Sequence, residues 1–168
     1  MPAAGRTAVV KFIHPVAGGL AIFTIATFWI STALSEAFGS HATVTTVKTL
    51  IPWGFVILIP ALAAAGGSGF VLSKGRRAGL VGAKARRMPF IAANGILVLI
   101  PAALFLAAKA RDGAFDGAYW AVQGLELAAG ATNLFLLCLN MRDGFKLKGR
   151  LRPRARRPGD DSPNLPVR

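Results

Sequence analysis

Charge is nearly absent from four long stretches of this chain, those between Lys11 and Glu36, Lys48 and Lys74, Arg87 and Lys109, and Asp116 and Arg142. Each is longer than the roughly 20 residues an α-helix needs to cross about 30 Å of hydrocarbon. The pattern predicts four spanning helices, at about 12–34, 49–73, 89–108 and 117–141. The fold class expected is all-α, an integral membrane four-helix bundle over residues 12–145. A short segment, 1–11, precedes it and a basic tail, 146–168, follows. Arg6 and Lys11 give the first run the basic start of a signal peptide, but the run exceeds the 7–15 apolar residues of a signal h-region, so an uncleaved helix is expected.

Composition agrees with that pattern. Of 168 residues 54% are hydrophobic and 16% charged, and the mean hydropathy of +0.52 is too high for an ordinary soluble domain. The net charge of +13 is unevenly spread. Two Lys or Arg precede the first run, six separate the second from the third and nine follow the fourth, whereas the remaining two breaks hold one and two. By the positive-inside rule this places both termini and the second loop in the cytoplasm, as in a multi-pass protein of the inner membrane. The cations are thereby accounted for without nucleic acid, and no nucleic-acid-binding module is present. The tail KLKGRLRPRARRPGDDSPNLPVR, rich in Pro, Arg and Asp and free of aromatics, is expected to be disordered and to lie against anionic lipids, each basic residue near the leaflet contributing on the order of 1 kcal/mol.

The fourth run, YWAVQGLELAAGATNLFLLCLN from Tyr119 to Asn140, carries polar residues inside an apolar sequence. Tyr119, Gln123, Glu126, Gly130, Asn133 and Asn140 are spaced by 4, 3, 4, 3 and 7, which puts them on one helical face. That face is predicted to point into the bundle, with Trp120, Leu127, Leu134, Phe135 and Leu139 toward lipid. No Lys or Arg lies within the four spans as drawn, so Glu126, near mid-membrane, is expected to be a neutral acid donating a hydrogen bond.

A second group of candidates comes from small and polar residues expected at one depth near the cytoplasmic end: His14, Gly18 and Gly19 on the first helix, Gly66, Gly67, Ser68 and Gly69 on the second, Asn94 and Gly95 on the third, Gly130 and Asn133 on the fourth. Such a layer serves close helix packing, or lines a cavity for a flat cofactor such as a haem b or a quinone. His14, followed by Pro15 as the first helical residue, is the only histidine near that level, and His41 belongs to the opposite loop with Glu36. One protomer therefore cannot form a bis-histidine haem site, and a haem would need Met88, Met141 or a second protomer. Gly54–Pro60 and Gly95–Pro101 are near-repeats whose prolines free the carbonyls of Val56 and Leu97 and should bend their helices. In oppositely directed helices such a repeat would suit an inverted duplication. The single Cys138 permits no intrachain disulfide or thiol cluster, and no metal site is predicted.

No nucleotide loop, metalloprotease motif or nucleophile elbow occurs, so nothing marks an enzyme. Three functions remain. The leading expectation is a non-catalytic bundle or accessory subunit, associating with another membrane protein or with itself. The others are a haem- or quinone-associated redox subunit using His14, and a proton or small-solute path through Glu126.

Overall fold

The computed structural model describes residues 3–73, 79–147 and 149. The expected arm beyond residue 149 lies outside the described residues, as do Lys74, Arg76 and Arg77. Among the described residues five α-helices build the fold: α1 (Ala3–Phe38), α2 (His41–Ser73), α3 (Gly79–Asn94), α4 (Ile100–Arg111) and α5 (Gly117–Leu147). A π-helical turn, Gly95–Leu99, joins α3 to α4 without a break. Among the described residues four helices are long and apolar enough to cross a membrane: Val9–Phe38 within α1, α2, the continuous Gly79–Arg111 helix, and α5.

The helices overrun the expected spans, most of all between the first two. In place of a loop over residues 36–48, α1 and α2 are joined by Gly39 and Ser40 alone. Ser40 caps α2, its Oγ accepting from the Thr43 N–H at 3.3 Å while its carbonyl accepts from Val44. Gly39 is held so tightly that an added Cβ would lie 2.5 Å from the Ser35 carbonyl oxygen. Asp116 starts α5 in the same way, accepting from the Tyr119 N–H at 3.0 Å and from Lys109 Nζ at 2.5 Å. The Lys109 bond holds the Asp116 carboxyl below the ordinary carboxylate range. Both connections lie at one end of the molecule, here called the turn end; the other is the basic end.

Proline does not stop these helices. Pro15, expected to open the first, lies inside α1, and Pro52, Pro60 and Pro89 lie inside α2 and α3. The two near-repeats differ. Before Pro101, which cannot donate to Leu97, the chain widens into the π turn and Ile100 N–H bonds Gly95 O instead, whereas α2 continues through Pro60 as an α-helix.

At the turn end α1, α2, α4 and α5 pack as a ring of four. There α2 is tied to α4 by Thr45 Oγ1 donating to Ala110 O at 3.0 Å, and Val44, Leu106, Ala110 and Tyr119 form the core. Toward the basic end α3 packs on α5, and α2 packs on α1 rather than on α3. Ile25, Ile91 and Leu137 form the core of this half. Phe12, Phe23, Trp53, Phe70, Trp120 and Phe135 all point outward. Large apolar side chains exposed on every helix suit surrounding lipid.

Candidate functional site: a line of buried polar stations along α5

The face of α5 picked out by spacing is the one turned inward: Tyr119, Gln123, Gly130, Asn133, Asn140 and also Leu137 and Asp143 are buried, while Trp120 and Phe135 are exposed. Leu127, Leu134 and Leu139, expected toward lipid, are half-buried, and Leu134 packs against the basic-end core. The polar members form separate stations, each meeting a different neighbour.

Glu126 departs from expectation. It is not an acid without a counter-charge: Lys48 Nζ lies 2.5 Å from its Oε2, and the two side chains are 1% and 12% exposed. The missing cation is explained by the short turn. Because α2 starts at His41, Lys48 is seven residues inside it and inside the bundle rather than in a loop. Depth is corrected too. Glu126 is nine residues into the 31-residue α5, about 14 Å from its start, so the pair sits toward the turn end rather than midway. Pro52 lacks the N–H that would bond the Lys48 carbonyl, leaving a backbone acceptor on the same turn of α2.

Two further polar groups share this region of α5. The Tyr119 hydroxyl donates to Glu36 Oε1, so Glu36 is part of the interior contacts rather than a solvated loop residue. His41, by contrast, is exposed and stacks on Phe115 with ring centroids 4.3 Å apart. Gln123, one turn from Glu126, is 2% exposed, and among the described residues neither its Oε1 nor its Nε2 has a hydrogen-bond partner; Thr49 Oγ1 on α2 is likewise unpartnered there. A buried amide costs free energy unless its bonds are met, so Gln123, like Thr49, has capacity left for a water or a small polar species.

Past this group the line is interrupted. Trp29 of α1 lies over Gly130, where an added Cβ would be 3.0 Å from its Cδ1, and its Nε1 donates to Leu127 O at 2.9 Å. Then comes an amide station. Asn94, at the edge of the π turn, donates through Nδ2 to Asn133 Oδ1 at 2.9 Å and to Ala129 O at 3.0 Å, and Asn133 Nδ2 donates to Ile91 O at 3.2 Å. Leu137 closes the next turn. At the basic end Arg87 Nη1 donates to Asp143 Oδ2 at 2.7 Å and to Asn140 Oδ1 at 3.3 Å, and Asn140 Nδ2 lies 3.4 Å from Met88 Sδ.

The layer of small residues is not brought together as one cavity. His14 and Ser68 meet, with His14 Nδ1 3.1 Å from Ser68 Oγ and 3.0 Å from Ala65 O, and the imidazole lies on Gly69. Asn94 and Gly95 belong instead to the station with Asn133, and among the described residues no atom beyond the local helix backbone lies within 4 Å of a Cβ built on Gly18, Gly19, Gly66 or Gly67. His14 engages α2 and Met88 engages α5, so these two are not brought together as a ligand pair. Among the described residues no three His, Cys, Asp or Glu side chains cluster as a metal site would require.

Four helices long and apolar enough to cross a membrane, around a buried polar line, are consistent with a multi-pass helical membrane protein. No protein-family model, curated protein or solved structure matches the chain.

Proposed function

We propose that this protein handles protons within a membrane, with Glu126 as the exchanging group and Lys48 as the counter-charge that holds it in place. The observation that carries this reading is the buried Lys48–Glu126 pair with an unpartnered Gln123 one helical turn away. Stability alone is a weak reason for such a pair, since a well-packed apolar replacement of similar volume is often neutral or stabilising. Ionisable groups inside membrane spans mark ion and proton routes more often than other buried polar residues do. In this reading a proton from water at the turn end adds to the Glu126 carboxylate, frees the Lys48 ammonium, and leaves toward the amide station of Asn94 and Asn133. Trp29 over Gly130 is the barrier it must pass. The uneven distribution of Lys and Arg supports a cytoplasmic basic end in an inner membrane.

Proton flux into proteoliposomes, followed with an entrapped pH dye, tests the proposal. The charge-neutral double variant Lys48→Met/Glu126→Leu should keep the helical content and melting behaviour of the parent but lose flux to the level of empty vesicles. A folded double variant with parental flux, or a parent no better than empty vesicles, refutes it.

One observation favours a second reading, that of an accessory subunit. Among the described residues α2 packs on α1 and α4 rather than on α3, with Ala65, Ser68 and Gly69 against His14, and the side of the bundle between α2 and α3 would suit a helix from another membrane protein. Flux that is absent from the parent, together with co-purification of one stoichiometric partner, would favour it.

A further inference from the structure

At the basic end a groove runs between α3 and α5 on the outside of the bundle, independent of the proton-handling reading. Its upper part has a volume of about 550 Å³ and is lined by Arg86, Arg87, Phe90, Thr132, Phe135 and Leu136. A second hollow of about 240 Å³ shares Phe90 and continues along the same helix past Ala93, Leu97 and Val98. Cations thus stand at one end only, and the rest of the floor is apolar apart from Asn94 and the Thr132 hydroxyl, which is already bonded to Ala128 O.

The two arginines differ in their state. Arg87 is fixed by Asp143 and Asn140 through one nitrogen, Nη1, leaving the other guanidinium donors unused by those bonds. Arg86 is exposed and makes no hydrogen bond or ion pair with any described residue. Asp143 is shared between Arg87 and Arg142, so the three guanidinium groups and one carboxylate leave the groove head positive. Length provides a second constraint. From Arg86 to Val98 is roughly 18 Å along the helix, against roughly 15 Å for half of the hydrocarbon layer.

We propose that this groove binds one anionic phospholipid, its phosphate against Arg86 and Arg87 and one acyl chain along Phe90, Ala93 and Leu97. Charge complementarity selects the head group, since a guanidinium donates paired hydrogen bonds to phosphate oxygens. The apolar trough admits a chain that a free phosphate lacks. Basic clefts between spanning helices are suited to anionic head groups in this way. The site differs from the basic tail because it needs a groove as well as charge.

Native mass spectrometry of the full-length protein in detergent, titrated with phosphatidylglycerol or phosphatidylcholine, is the test. One phosphatidylglycerol should be retained in preference to phosphatidylcholine. Arg86→Gln, at an exposed unpartnered side chain, should weaken retention about tenfold. Ala93→Trp, also exposed, should weaken it similarly by filling the trough while every charge, including the tail, is kept. Parental retention in both variants would assign the lipid to the tail or the annulus and overturn the proposal. So would equal retention of phosphatidylcholine, or full displacement by glycerol phosphate, which has the head group charge without a chain.

Discussion

Lys48→Met is expected to destabilise the folded bundle by about 3–5 kcal/mol, because it leaves the Glu126 carboxylate in the interior without its cation. Glu126→Gln should cost a comparable amount by stranding the Lys48 ammonium, which at 1% exposure has no solvent to turn to. The double variant Lys48→Met/Glu126→Leu removes both charges and should recover most of the loss. Reversible unfolding in mixed micelles of rising sodium dodecyl sulfate content supplies the cycle. Single substitutions that each cost less than about 1 kcal/mol and add in the double variant would mean that the pair is hydrated and loose, contrary to the geometry. The same cycle explains why the flux measurement rests on the double variant: a lone substitution at either position confuses lost function with lost fold.

The second large effect is expected at Gly39. An alanine there places a Cβ 2.5 Å from the Ser35 carbonyl oxygen and 3.1 Å from Thr43 Cβ. The first of these is backbone and cannot swing aside, so α1 or α2 must shift, at a cost of about 1–3 kcal/mol. The consequence is specific, because this two-residue turn sets where α2 begins and so where Lys48 falls. Gly66→Ala and Gly67→Ala form the contrast. Among the described residues nothing beyond the local helix backbone lies within 4 Å of a Cβ at either position, and alanine has the better helix propensity, so both should be neutral or mildly stabilising in the same unfolding assay. Equal losses at Gly39, Gly66 and Gly67 would contradict the packing described.

How much of this was legible in the sequence can be judged from particular residues. The four apolar runs gave the helices, and the 4, 3, 4, 3, 7 spacing gave the inward face of α5, because burial in a helix has to repeat with its 3.6-residue turn. Lys48 was missed for a physical reason. A charged residue at the edge of an apolar run looks like a loop residue in a hydropathy reading, and Lys48 became an interior residue only because α2 starts seven residues earlier. The signal was present in Gly39-Ser40, a helix stop followed by an N-cap residue. Glu36 reads as a solvated loop residue for the same reason. The residues expected in one layer around His14 meet only in part, because counting residues from each helix end gives depth but not azimuth. His14 and Asn94 were both placed toward the same end, yet one meets α2 and the other α5.

A proton route along α5 and a lipid groove at the basic end both require four helices crossing a bilayer with the turn end and the basic end on opposite sides. Labelling single cysteines with a membrane-impermeant maleimide in sealed inside-out and right-side-out vesicles, after Cys138→Ala, tests this most directly. Cysteines at Ser40, in the α1–α2 turn, and Gly79, at the start of α3, should react from opposite faces, with Gly79 on the cytoplasmic one. Reaction of both from the same face would contradict the account.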